Sequence, residues 1–169
     1  MHLPTQAAAP AFSPREFRAA LGMFATGVTI VSARAPTGEL VGLTANSFNS
    51  VSLDPPLVLW SLSQRSLSLD AFRTGSHYAI NVLAADQHEL ALRFATPLSD
   101  RWDGVAWTPG VAGAPLITGA MAHFECFNKS RYEEGDHVIF VGQVEQVAHR
   151  PEATPLLFHG GRFYTEHPL

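Results

Sequence analysis

The chain has 169 residues, 46% apolar and 15% charged, with a formal net charge of −4. That suits one globular domain with its own core and excludes a disordered chain or two comfortable domains. There is no basic footprint for nucleic acid and no apolar run near the roughly 20 residues of a membrane helix, and the single cysteine, Cys126, rules out an intrachain disulfide or a multi-cysteine zinc site.

The opening MHLPTQAAAPAF lacks the charged and apolar regions of a secretory leader. Residues 1–12 are expected to be a flexible tail and 13–169 the domain, with a cytoplasmic location suiting the cysteine usage. Ser13-Pro14-Arg15-Glu16 reads as a helix start, with Ser13 capping, Pro14 at the first helical position and Glu16 closing a capping box. Phe17, Leu21 and Phe24 fall on one face, and the helix is expected to end near Gly27. Residues 28–33 are β-branched and bounded by the turn Pro36-Thr37-Gly38, so residues 40–43 make a hairpin partner.

Residues 47–53 alternate as a half-buried strand does. The nearly continuous apolar run 57–62 predicts a strand buried on both faces. Residues 66–74 suit a short helix with Leu67, Leu69 and Phe72 inward. A strand over 77–83 follows, and then a helix over 87–95 that Asp86 can cap. Residues 96–118, with Trp102 and Trp107, are rich in Pro and Gly and read as an irregular loop. Residues 120–131 and 137–149 form two long strands joined through 132–136, with Gly142 marking a bulge or close contact. Short strands at 156–158 and 162–165 flank Gly160-Gly161. Six or more mostly antiparallel strands with few helices predict a mainly β fold, a barrel with peripheral helices.

There is no dinucleotide glycine fingerprint, phosphate-binding loop of the Walker type, zinc-protease helix motif or hydrolase nucleophile elbow. The chemistry is instead carried by hydroxyls and amides at strand ends: Thr44, Asn46, Ser47, Ser61, Ser63 and Ser66. Such groups bind phosphate oxygens or heterocycle carbonyls without the desolvation cost of a full charge, and Arg65 adds a cation beside Ser66. A single serine here is an ordinary turn residue; the cluster on two neighbouring strands suggests a ligand. Gly135-Asp136-His137 is a second constellation, placing an imidazole at a strand start, either in a cleft or as an incidental turn residue. The other histidines lack metal-ligand spacing, and Cys126 reads as a buried, inert thiol.

Four segments, taken in order, carry a family likeness: Phe24 to Val31; Gly42 to Phe48 with Ser52 to Val58; Tyr78 to Leu83; and Gly135-Asp136-His137 with Gly142-Gln143-Val144. Over residues 14–165 the chain resembles the short-chain flavin reductases, the FMN-binding split-barrel family that includes reductase components of two-component flavin monooxygenases. The resemblance implies a six-stranded antiparallel split β-barrel, in a homodimer, with FMN or FAD near the subunit interface. It implies hydride transfer from NADH or NADPH to flavin and delivery of reduced flavin to an oxygenase. Carried over by position, Thr44, Ala45, Asn46 and Ser47 would meet the flavin's polar edge and ribityl chain. Ser61, Leu62 and Ser63 would line the ring or chain, Ser66 and Arg65 the phosphate, with Arg93 a further phosphate candidate. His137 would lie on the nicotinamide side as the catalytic candidate, and Tyr164 near the flavin. A non-catalytic flavin or small-ligand module and a pyridoxamine-phosphate-oxidase-like FMN oxidase remain alternatives at this point.

Overall fold

The structure, a computed structural model, describes residues 7–98 and 100–169. Half of the expected tail, residues 1–6, lies outside the described residues. The first half of the chain forms α1 (Pro14–Gly22), β1 (Thr26–Gly27), β2 (Thr29–Arg34), β3 (Leu40–Ala45), β4 (Asn49–Leu53), β5 (Pro56–Ser63), α2 (Leu69–Thr74) and β6 (His77–Val82). The second half forms α3 (His88–Ala95), β7 (Trp107–Pro109), β8 (Pro115–Ile117), β9 (Ala122–Glu134), β10 (His137–His149), β11 (Leu157–His159) and β12 (Arg162–Tyr164).

The main sheet is antiparallel in the order β3-β2-β6-β9-β10-β5-β4. Laid flat, seven strands would span about 29 Å. Yet its two end strands, β3 and β4, are separated only by residues 46–48, and the step from Ala45 to Asn49 reaches at most about 14 Å. The sheet must therefore roll until its ends meet. No ladder joins β3 to β4 among the described residues, so the barrel is split there. It has seven strands, against the six that the resemblance implies.

Rolling creates an inside and an outside. Inside, Val31, Trp60, Tyr78, Cys126, Val138 and Phe140 pack together, with Trp60 stacked on Phe140 at 4.7 Å between ring centroids. Outside, Ile30, Leu83, Ala91, Phe94, Ile117 and Leu156 form a second core, where α3 and the 102–117 region cover β2 and β6. β2 is buried along Thr29–Ala33 as a result. β5 is not, contrary to the reading of its apolar run. Val58, Trp60 and Leu62 face inward, while Leu57, Leu59, Ser61 and Ser63 lie half-buried on the other side. Gly142 sits at a register shift in β10, and a Cβ there would meet the Tyr78 hydroxyl at 2.6 Å and Cys126 Cβ at 2.9 Å. Both readings of that glycine hold.

The capping box of α1 forms as expected: Ser13 Oγ accepts from Glu16 N–H and the Glu16 carboxylate from Ser13 N–H. The helix stops at Gly22, short of Gly27, because the chain turns into β1, which pairs with β11. Its apolar stripe is not inward: Phe17, Leu21 and the following Phe24 are exposed, and α1 buries none of its residues. α2 buries Leu69 and Phe72 but leaves Leu67 exposed. A serine-rich turn, with Ser66 N–H donating to Ser63 O and Leu69 N–H to Ser66 O, delays the helix past that leucine. Asp86 lies in a 3-10 turn and does not cap α3; Gln87 Oε1 takes the N–H of Ala84 instead.

The stretch 96–118 is less irregular than its composition suggests, since β7 and β8 form a hairpin within it. Buried Asn81 fixes that hairpin to the sheet. Its Nδ2 donates to Ile30 O and Ser32 Oγ, its Oδ1 accepts from Ile117 N–H, and Ser32 Oγ donates to Pro115 O. Buried polar groups satisfied this fully specify one arrangement.

Candidate functional site

The site grows out of the seam. Ser47 lies in the link between β3 and β4. Its hydroxyl accepts from Ser61 N–H at 2.9 Å and donates to Ser61 O at 3.3 Å. This side chain does what a strand's backbone would do, and so ties the link to β5. Asn46 beside it is exposed. Thr44 and Ala45 belong to β3 rather than to a loop. The Thr44 hydroxyl donates to Ala91 O of α3 at 2.6 Å, and Ala45 O accepts from Thr29 Oγ1.

β5 then carries the surface towards β10. Ser61 stands opposite Ile139, Leu62 opposite Val138 and Ser63 opposite His137. Because side chains alternate, Leu62 and Val138 enter the inner core, while Ser61, Ser63 and His137 share the other face. The structure thus brings Ser47, Ser61, Ser63 and His137 together; Leu62 offers that face only its backbone. His137 is exposed, and its Nδ1 lies 2.7 Å from Asp136 Oδ1. The His137 hydrogen bond, and then its charge, hold the Asp136 carboxyl below its usual range. Gln64 N–H donates to Asp136 O, tying the Gly135-Asp136 turn to the end of β5.

Past Ser63 the chain turns again. Arg65 N–H donates to Ser63 Oγ and Ser68 N–H to Ser66 Oγ. Arg65 and Ser66 line a cleft of about 860 Å³ between the β2–β3 hairpin, the 65–74 segment and Ala95, Pro97, Leu98, Arg101 and Trp102. Arg93 is placed differently. Its Nη2 donates to Asp100 O and Asp103 O, so that edge serves the turn after α3. Tyr164 is exposed on β12. It pairs with Leu157, which stands opposite Gly27, two residues before Thr29 and its partner Ala45. Among the described residues, no hydrogen bond or ring contact joins Tyr164 to the Ser47–His137 group.

The same cleft is lined by Trp102 and by Arg101, the latter not placed in the site by sequence reasoning. Arg101 lies in a stretch without periodicity; only the aromatic beside it drew notice. Asp136 stood in a motif, but its role depends on a side-chain bond that spacing does not show. The arrangement offers neutral donors for a carbonyl-edged ring, an imidazole held by a carboxylate, and cations for an anionic tail. No cluster of three or more His, Cys, Asp or Glu suited to a metal occurs among the described residues.

The flavin reductase like domain family model matches residues 21–167. The chain is 49% identical over 149 residues to FMN reductase (NADH) SmoA of Agrobacterium fabrum, covering 88% of this chain and 84% of that protein. It is 38% identical to the flavin-dependent monooxygenase reductase subunit HsaB of Rhodococcus jostii, covering 92% and 80% of the two. Several further relatives are longer, and the chain spans about half of them. Among solved structures, NADH:FAD oxidoreductase SgcE6 of Streptomyces globisporus, in complex with NAD and FAD fragments, superposes with a TM-score of 0.88 at 41% identity, covering 95% of this chain and 98% of that one.

Proposed function

The chain belongs to the flavin reductase like domain family, and from that premise we propose that it is an NADH:flavin oxidoreductase that reduces FMN or FAD for a partner monooxygenase. The observation that carries this reading is the shared face of Ser61, Ser63 and His137 beside Ser47. Relatives support it by what they are: an NADH-dependent FMN reductase, a monooxygenase reductase subunit, and an oxidoreductase solved with NAD and FAD fragments.

The residues fit such a cofactor. The Ser61 and Ser63 hydroxyls and the exposed Asn46 amide match a carbonyl-edged ring and a ribityl chain, and Arg65 with Ser66 matches a phosphate. When bound, flavin supplies the hydride acceptor and the reduced nicotinamide the donor. The protein's task is to hold two planar groups in register, which removes much of the entropic barrier. Ser47 keeps the 45–47 backbone against β5. Asp136 holds the His137 ring by Nδ1, leaving Nε2 to bind the nicotinamide carboxamide. Thr44 anchors α3 behind the site.

We also infer a homodimer in the cytoplasm. The exposed apolar residues Phe12, Phe17, Leu21 and Phe24 of α1 and its flanks suit a protein interface. No helix among the described residues is long and apolar enough to cross a membrane.

Mixing the purified protein with FMN or FAD and NADH, and following NADH absorbance, tests the reading. Flavin-dependent loss of NADH is expected; its absence, with NADPH also tried, would leave only a non-catalytic binding module.

A further inference from the structure

The two glutamates at the tip of β9 have different fates. Glu133 takes Arg73 Nη2 at 2.6 Å, so its carboxylate is engaged by α2. Glu134 is exposed, has no cation within ion-pair distance among the described residues, and stands directly opposite His137. Two residues back, Tyr132 stands opposite Ile139 and is 55% exposed. Phe127, further back along β9, has a ring partner in His77; Tyr132 has none among the described residues. Residues opposite one another in a sheet share a face, as do residues two apart on one strand. Two rows therefore cross the outer face from β9 through β10 to β5: Tyr132, Ile139 and Ser61, then Glu134, His137 and Ser63. Tyr132 is the diagonal neighbour of His137, roughly 7–8 Å away and within reach of an aromatic side chain. β6 pairs with β9 only as far as Phe127, and residues 131–137 are all exposed. The rows thus end on an open strand edge, with room for a ligand that extends past the imidazole.

We propose that Tyr132 and Glu134 form a subsite for the adenosine of the dinucleotide, Tyr132 stacking on the adenine and Glu134 accepting from the ribose hydroxyls. The inference rests on the flavin reductase reading, which puts the nicotinamide at His137, between this subsite and the serines of β5. The order along the rows is the one a dinucleotide and a flavin need: flavin at Ser61 and Ser63, nicotinamide one strand further, adenosine one strand beyond that. Neighbouring strands lie about 4.8 Å apart, so β9 stands roughly 10 Å from β5. A tyrosine offers a flat, rigid surface at small entropic cost, since only two side-chain torsions are fixed. Any base stacks on such a ring by its π-face. A carboxylate pairs with the free 2′-hydroxyl of NADH and repels the 2′-phosphate of NADPH, so Glu134 also sets the preference for NADH. Asp136, the next carboxylate along the chain, is held by His137 Nδ1 and does not serve that task.

The test is titration calorimetry of the flavin-loaded protein with NAD⁺ and with nicotinamide mononucleotide, which lacks the adenosine; neither can reduce flavin. Tyr132→Ala is expected to weaken NAD⁺ roughly five- to thirtyfold and to leave mononucleotide and flavin affinities unchanged, while Tyr132→Phe keeps the stack. Glu134→Gln is expected to narrow the gap between NAD⁺ and NADP⁺ roughly fivefold. With NADH as donor, KM should rise in Tyr132→Ala while kcat at saturation holds. Unchanged NAD⁺ affinity in Tyr132→Ala overturns the proposal. Equal weakening of NAD⁺ and the mononucleotide would assign Tyr132 a purely structural role and overturns it as well, as does an unchanged ratio of NAD⁺ to NADP⁺ affinity in Glu134→Gln. Should the alanine variant fail to fold, the unaltered chain still decides: it must bind NAD⁺ more tightly than the mononucleotide, and equal affinities overturn the proposal. A wild-type chain that binds neither FMN nor FAD would sink the functional reading itself, a distinct outcome.

Discussion

His137 Nδ1 and Asp136 Oδ1 lie 2.7 Å apart at the first step of β10, directly across from Ser63. The carboxylate fixes the ring, so His137→Ala should raise the nicotinamide KM or lower kcat with little change in flavin affinity. Asp136→Asn should act in the same direction and more weakly, since the amide still holds the ring but without charge. Because Asp136 titrates below its ordinary 3.8 in the folded chain, the interaction is complete above that value and lost as pH falls through the lower folded one. The share of NADH binding that depends on the Asp136 carboxylate should therefore be lost only below the ordinary carboxylate range. Steady-state kinetics across pH, with flavin titrations on both variants, check this.

Ser47→Ala should cost both stability and binding. It strips the Ser61 N–H of its acceptor in a half-buried place, a loss of about 1–3 kcal/mol, and frees the 46–48 link from β5. A lower denaturation midpoint together with weaker flavin binding is expected. Intact binding would detach the link from the site.

Gly142→Ala pushes a methyl into the Tyr78 hydroxyl and Cys126. Neither can retreat: Tyr78 and Cys126 are both fully buried in the inner core. Overpacking of this kind costs about 1–3 kcal/mol, read directly by chemical denaturation.

Cys126 should be unreactive. Burial, followed by the charges of Glu145 and Glu125, pushes its thiol up to about 12, so little thiolate exists at mildly alkaline pH. A thiol reagent should find nothing in the native protein and a single group after unfolding. Fast labelling of the native state would contradict the burial.

What could be read in advance divides by the range of the interaction. The capping box at Ser13 and Glu16 is local, spanning three residues, and it forms as written. The inward placement of Leu67 failed because a turn made by serine hydroxyls and carbonyls displaced the start of α2. The β7–β8 hairpin was hidden because Asn81, some 36 residues from its partner Ile117, creates its order. The serines of the site stood out by composition and strand position. That Ser63 meets His137 was not legible from spacing, since the register of β5 against β10 is a property of the rolled sheet. Arg101 gave no signal, since both of its acceptors, Thr96 O and Gly42 O, are carbonyls, which every residue has.

The open seam between β3 and β4 has a thermodynamic consequence. A barrel closed by a full ladder opens only by breaking many backbone bonds at once. Here, among the described residues, the 46–48 link is held by the Ser47 hydroxyl on β5 and by Phe48 packed near Phe124 on the inner core, with no ladder between β3 and β4, so local opening at 46–48 and 61 needs less than global unfolding. The amides of this seam should exchange with solvent through such openings, ahead of those in β6 and β9. FMN that binds only the closed form should slow that exchange in proportion to its occupancy, making the seam a label-free reporter of ligand in the unmodified protein.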